Sequence, residues 1–461
     1  MIRRLSQDVL KLTSALTDEL VELDIASRSR AMRGQLTRRI RWATKAAILS
    51  RAAVLQRFAL PREKAPIRFA EVSEPRVSIV VPVYNQIATT LACLRSLAET
   101  PERTSFEVIV VDDCSSDATP TELAKIPGLR VHRNVQNLGF VRACNAGAKL
   151  ARGEFLCFLN NDTLVTPGWL DELVQTFSIF PDAGLVGSKL VYPDGSLQEA
   201  GGIIFRDGTG LNYGRHDDPE RPEYCYAREV DYCSGASIMI RRSLFEELGG
   251  FDEYFAPAYY EDTDLAFRVR QKGLKAIYQP LSRVVHLEGK TSGTDLNSGA
   301  KRHQVTNRVK FVERWGETLL RDHEPPRVPA ILTKDRYADG PRVLVVDSSL
   351  PRPDNDSGSL RMWNMLLLLR ELGCKVTFAP NGEYREHRRY RSELQRHGIE
   401  SLYYPYMASP REHLRKAGWR YDLVILSRPD NTSRYLPAVR RHAPRARVAF
   451  DTVDLHFVRE E

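Results

Sequence analysis

Gly153–Trp169 reads GEFLCFLNNDTLVTPGW, and its apolar run of Phe155, Leu156, Phe158 and Leu159 stops abruptly at Asn160-Asn161-Asp162. An apolar run bounded by turn residues reads as a buried strand. Pro167-Gly168 and a new helical pattern follow. Asp162 therefore falls at the C-terminal end of a strand, where open α/β sheets place their ligand crevice. Taken alone, Asp162 also reads as an ordinary turn carboxylate. The chain before it reads as a nucleotide-binding half, and the chain after it, to about residue 316, as a substrate half.

Working back from this stretch, strands and helices alternate from Val77 onward. Val77–Val83 is an apolar strand that runs into Tyr84-Asn85, and Leu91, Leu94 and Leu97 space a helix behind it. Phe106–Val111 is the next strand and ends on Asp112-Asp113. Ser115, Ser116 and Asp117 supply turn and N-cap chemistry. Leu129–Arg133 reads as a short strand, and Asn137-Leu138-Gly139-Phe140 turns into a helix carrying Arg142 and Asn145. The result is a βαβαβ half with a carboxylate at two strand ends. Neither the Gly-rich dinucleotide fingerprint nor a P-loop follows any of these strands, which disfavours both readings. A nucleotide would instead be held by strand-end side chains and a metal.

Downstream the pattern is less regular. Gly201-Gly202 and Gly208–Gly210 suggest hairpins, and Cys233-Ser234-Gly235-Ala236 leads into a strand at Ser237–Ile240. Tyr259-Tyr260-Glu261-Asp262-Thr263-Asp264 opens a helix, where acidic residues also favour the helix dipole. Strands at Lys275–Tyr278 and Val284–His286 follow, and residues 292–303 read as a loop.

The ends of the chain differ in kind. Residues 1–70 read as a helical extension in which Leu5, Val9, Leu12, Leu16, Leu20 and Leu23 recur at three- and four-residue steps. Between residues 28 and 58 basic side chains dominate, with Trp42 and Phe58 interleaved. Such a helix suits an anionic membrane surface, and it equally suits packing on its own neighbour or a partner. Nucleic acid is disfavoured because no binding motif accompanies the charge. Residues 321–340, with Pro325, Pro326 and Pro329, read as a linker. Residues 341–461 form a second α/β pattern, with strands at Val343–Ser348, Lys375–Ala379, Leu423–Ser427 and Arg447–Asp451.

The chain has 461 residues, 42% hydrophobic and 27% charged, with a net charge of +8. That is the composition of a globular protein with room for about three domains. Seven cysteines without a CxxC disfavour a disulfide framework and a zinc ribbon. Reduced thiols, and the lack of an apolar run of membrane-spanning length, place the expected location in the cytoplasm.

Asp112, Asp162, Asp262 and His286 together supply the parts of a metal-assisted group transfer. A hard divalent cation needs oxygen ligands beside a diphosphate, and a separate carboxylate can take a proton from a hydroxyl nucleophile. The motifs VSIVVPVYN, EVIVVDDCSSDAT, NLGFVRACNAG, FLNNDT, GASIMIRRSLFEELGGFDE, YYEDTDLAFR and VVHLEG occur in that order. In this they resemble inverting glycosyltransferases of family 2, with the GT-A fold, and among them the bacterial rhamnosyltransferase-like members. The resemblance spans about Val77 to Gly316 and defines an expected GT-A domain at residues 71–320. It implies that Pro82 and Tyr84 frame the nucleotide base and that Asp112 accepts a hydrogen bond from its ring nitrogen, which suits uracil or thymine. It further implies that Asp162 and His286 bind Mn(II) or Mg(II), that Asp262 is the general base, and that Arg142 meets the diphosphate. Asn161 stands where a second carboxylate is usual and would bond a ribose hydroxyl. Glu261 and Gly235 fall on the acceptor side. The implied partners are a UDP- or dTDP-sugar donor and a glycan or lipid-linked saccharide acceptor in cell-surface polysaccharide synthesis, at the inner face of the membrane.

Residues 341–461 resemble, more weakly, the N-terminal half of a GT-B glycosyltransferase of family 4, an incomplete half that implies a fragment of a longer bifunctional enzyme or a docking platform. Two other functions compete: a non-catalytic nucleotide-sugar-binding scaffold, suggested by the missing carboxylate at Asn161, and a nucleotidyltransferase. The latter needs a basic, Gly-rich loop where this chain has Tyr84-Asn85-Gln86-Ile87.

Overall fold

The computed structural model describes residues 66–287, 302–328, 330–333, 340–382 and 387–453. The expected N-terminal helices, the basic stretch at 28–58 and most of the 292–303 loop lie outside these residues. Strand β1 (Val77–Val83) is buried along its whole length. Helix α1 (Ile87–Glu99) lays Thr90, Cys93, Leu94 and Leu97 against the core, the stripe that a 3.6-residue period produces. Then come β2 (Phe106–Asp112), α2 (Thr119–Leu123), β3 (Arg130–Arg133), α3 (Phe140–Ala148), β4 (Phe155–Leu159) and β5 (Thr163–Val165). Helix α4 (Trp169–Ile179) leads to β6 (Ala183–Val191), β7 (Leu197–Glu199) and the hairpin of β8 (Gly202–Ile204) and β9 (Gly210–Asn212). The domain continues with β10 (Arg228–Glu229), β11 (Ser237–Arg241), α5 (Arg242–Glu247), α6 (Glu261–Gln271), β12 (Lys275–His286) and α7 (Arg302–Asp322).

The strands form a mixed sheet in the order β10-β12-β6-β11-β4-β1-β2-β3, with β5 paired to β12 and β7 to β6. The four strands β1 to β4 run parallel, as the alternating βα pattern requires. Strand β11 enters antiparallel between β4 and β6. Their carboxyl ends therefore share one edge, and the turn before β11 arrives at that same edge.

One segment departs from the sequence reading. Lys275–Tyr278 and Val284–His286 are a single long strand, β12, rather than two. Its pairing with β6 slips between Gln279 and Arg283, where Pro280 cannot donate to a ladder. The irregularity let the strand look interrupted in sequence. All seven cysteines are free thiols, and no described helix is long and apolar enough to cross a membrane.

A short helix, α8 (Ala330–Thr333), lies in the expected linker. The second α/β segment comprises β13 (Arg342–Asp347), α9 (Ser357–Glu371), β14 (Lys375–Pro380), α10 (Arg388–Arg396), β15 (Glu400–Ser401), α11 (Pro410–Ala417), β16 (Leu423–Ser427), α12 (Pro429–His442) and β17 (Arg447–Asp451). Its five strands are all parallel, in the order β15-β14-β13-β16-β17. That order reverses between β13 and β16, as in doubly wound folds. Asp356 caps α9 by accepting from the Ser359 amide. The segment docks on the first sheet's domain: Arg396 forks onto Glu172 at 2.6 and 2.9 Å, Ala227 N–H donates to Gln395 O, and the Tyr406 hydroxyl donates to Asp218.

Candidate active site

Asp162 sits in the turn between β4 and β5, and its carboxylate is buried. Antiparallel pairing of β5 with β12 sets His286 opposite Thr163, and the Leu287 amide donates to Asp162 O at 2.9 Å. Register alone thus delivers His286 Nε2 to within 3.2 Å of Asp162 Oδ1. On the other ring nitrogen, His286 Nδ1 lies 2.9 Å from Gln198 Oε1. In the tautomer that donates Nδ1–H to Gln198, Nε2 turns its lone pair toward the carboxylate, and the two side chains can share a cation. An oxygen and an imidazole nitrogen suit Mn(II) or Mg(II) with the remaining positions filled by phosphate oxygens and water. Among the described residues no group of three or more His, Cys, Asp or Glu side chains forms a closed metal cage. One carboxylate and one imidazole leave room on such a cation for phosphate oxygens of a substrate.

The neighbouring turns are cross-tied. Asn161 Nδ2 donates to Thr90 Oγ1 at 3.0 Å, so this side chain is anchored to α1. Asp112, fully buried at the end of β2, accepts from the Ser115 amide at 2.9 Å and from Arg133 Nη1 at 2.5 Å. Asn85 Oδ1 accepts from the Ser116 and Asp117 amides, which binds the β1 loop to the β2 loop. Pro82 is buried in β1, and Tyr84 stands exposed beyond it. Asp113 has a different duty from its neighbour: it accepts from Asn134 and from the Leu138 and Gly139 amides, which shapes the start of α3. On α3, Arg142 pairs with Glu253 at 2.8 Å on a solvent-exposed face.

Asp262 lies at the start of α6 and is partly exposed. Its Oδ2 accepts from the Gly235 amide at 2.9 Å, and its Oδ1 accepts from the Thr263 amide at 2.7 Å. Burial raises the Asp262 carboxyl above the usual carboxylate range, while these amide bonds oppose the shift. Its neighbour Glu261 is buried and pushed well up, first by burial and then by the charge of Asp262. Two adjacent acids thus occupy different environments, the pattern by which one carboxyl stays neutral while the other acts as a base. Asp264 is structural, held by Arg268, Arg314 and Trp315.

The backbone entering α6 is forced. Tyr259 and Tyr260 have φ of 75° and 71°, a left-handed conformation that bulky residues adopt at a cost of about 1–3 kcal/mol each. Asn307, reaching in from α7, donates to Phe255 O, Ala258 O and Tyr259 O and holds this turn.

The turn at 234–236 connects the two halves of the site. Ala236 O accepts from the Asn160 amide at 3.1 Å, next to the Asp162 turn, and Gly235 N–H reaches Asp262. Sequence reading missed Gln198 and Glu199 of β7, as well as Asn307. The signal for the first two was a polar pair flanked by Leu197 and Ala200 within an otherwise buried stretch.

Residues 78–249 match the model of glycosyl transferase family 2. The chain thus carries a glycosyltransferase domain whose sequence is similar to that family's over this stretch. The chain is 29% identical over 262 residues to N-acetylglucosaminyl-diphospho-decaprenol L-rhamnosyltransferase of Mycobacterium tuberculosis, covering 50% of this chain and 82% of that protein. It is 32% identical over 243 residues to the O-antigen biosynthesis protein RfbC of Myxococcus xanthus, covering 50% of this chain and 18% of that one. The chain thus spans less than a fifth of the Myxococcus protein's length. A crystal structure of GalNAc-T7 with UDP, GalNAc and Mn2+ matches with 20% identity and a TM-score of 0.42, over 53% of this chain and 49% of that one.

Proposed function

We propose that this chain moves a sugar, with inversion, from a UDP- or dTDP-sugar to a hydroxyl of a glycan or lipid-linked acceptor in cell-surface polysaccharide synthesis. The observation that carries the reading is the turn at 234–236, which ties the Asp162–His286 pair to Asp262 across one sheet edge. The family 2 match and the polysaccharide-related relatives support the same reaction class. We take residues 71–320 as a GT-A domain and residues 341–461 as a GT-B-type half, the latter on the strength of its parallel strand order alone.

In this mechanism Asp262 takes the proton of the acceptor hydroxyl. That oxygen attacks the anomeric carbon from the face opposite the leaving group, the C–O bond to the diphosphate breaks with its electron pair leaving on phosphate, and the configuration inverts. Asp162 and His286 would hold Mn(II) or Mg(II), which supplies positive charge against the diphosphate. Asp112 would receive the ring N–H of uracil or thymine beside its bonds from Ser115 and Arg133, because a carboxylate has about four acceptor positions. Asn161 and Tyr84 would line the nucleoside. Most of the rate enhancement then comes from positioning and charge stabilisation.

Purified protein incubated with UDP- and dTDP-sugars and Mn(II), without acceptor, is expected to release free sugar and nucleoside diphosphate slowly. EDTA should stop the release. If no donor is hydrolysed with Mn(II) or with Mg(II) in its place, the transferase reading is contradicted and a nucleotide-sugar-binding scaffold takes its place.

A further inference from the structure

We infer that Glu199, on β7, is the positioning residue for the Asp262 base, acting through the two consecutive amides of the turn at 234–235. Ser234 N–H donates to Glu199 Oε1 at 3.0 Å, and the next amide, Gly235 N–H, donates to Asp262 Oδ2 at 2.9 Å. Two carboxyl side chains from different elements thus grip adjacent peptide groups. Glu199 is 1% exposed, and its Oε2 has no hydrogen-bond partner among the described residues. A buried carboxyl with one oxygen unsatisfied is costly unless it fixes something of value.

The surroundings explain how two acids coexist there. Burial pushes the Glu199 carboxyl up to about 8; the Ser234 amide bond opposes the rise, the charge of Asp262 adds to it, and Arg215 opposes it more weakly. The buried side chains of Tyr232 and Cys233, from the approach to β11, and of Tyr278, from β12, lie within electrostatic reach of it. Burial thus favours the neutral form of Glu199 beside Asp262. Its strand neighbour Gln198 orients His286. One three-residue strand, paired to β6 through Leu190–Glu199, consequently sets both the metal side and the base side of the site.

The role rests on Asp262 being the base, and its test separates the two claims. Hydrogen exchange at Ser234 and Gly235 is measured in wild type, Glu199→Ala and Glu199→Gln, alongside kcat and donor KM. In Glu199→Ala both amides are expected to exchange about tenfold faster, the Gly235 amide included although its own acceptor is Asp262. kcat should fall at least about tenfold with donor KM unchanged, the sign of a group felt at the reacting centre rather than in donor binding. Glu199→Gln, which copies the neutral acid, should restore both. Should Glu199→Ala not fold, Glu199→Asp, one methylene shorter, carries the same expectation. Unchanged Gly235 exchange in a folded variant, or a Gln variant that behaves like Ala, overturns the positioning role. If wild type hydrolyses no donor, the reading of Asp262 fails by itself, while the exchange result still decides whether Glu199 sets this turn.

Discussion

Replacing Asp262 by Asn is expected to lower kcat for sugar transfer by about 10²–10⁴-fold, the contribution of a positioned general base and equivalent to about 3–5 kcal/mol. The substitution keeps the shape of the side chain, and an amide oxygen can still accept from Gly235 N–H, whose donor–acceptor distance in wild type is 2.9 Å. Donor binding should therefore persist, and the loss should fall on kcat. The pH profile carries a second expectation. Asp262 acts only when ionised, and burial raises its pKa above the usual carboxylate range. Wild-type kcat/KM should fall as pH drops through that raised value, at higher pH than an unperturbed aspartate would give. A variant that keeps wild-type kcat would show that the acceptor proton leaves by another route.

The second large effect lies at the other side of the turn. Asp162→Asn or His286→Ala should each reduce donor hydrolysis and transfer by roughly 10²–10³-fold, the range for removing one group that stabilises developing charge. Both side chains serve a single cation in this reading, so the double variant should cost little more than either single one. Excess Mn(II) should partly restore His286→Ala, because the carboxylate remains, and should do less for Asp162→Asn. Fully additive losses would mean that the 3.2 Å contact between these side chains joins two independent roles.

Much of this site could be read from local pattern. Asp112 and Asp162 end apolar runs, and Asp262 opens a helix behind an acidic cluster; each signal lies within a few residues of the group it marks. Pairing across the chain is not legible locally. His286, grouped with Asp162 through the family resemblance, is carried to it by the folding of β5 back onto β12, whereas other groups escaped. Gln198 and Glu199 lie on a strand too short to show a period. Asn307, nearly fifty residues beyond the strained tyrosines, carries no hint in its own neighbourhood of the turn it holds. Arg142 has the charge to meet a diphosphate, but in the fold its guanidinium pairs with Glu253. The polarity of β11, antiparallel between parallel neighbours, is likewise a property of the sheet and not of its residues. It is this reversal that delivers Gly235 to the edge where Asp162 sits.

The thermal stability of the purified chain, measured with UDP-, dTDP- and GDP-sugars in Mn(II) and again in EDTA, tests the central claim most directly. A ligand that binds only the native state stabilises it by about 2.7 kcal/mol at a hundredfold excess over Kd. A rise in Tm is expected with a uridine or thymidine donor in Mn(II), absent in EDTA and absent in Asp162→Ala. A Tm that no donor moves in Mn(II), or one that Asp162→Ala leaves equally responsive, would contradict a metal-assisted nucleotide-sugar site at Asp162 and His286.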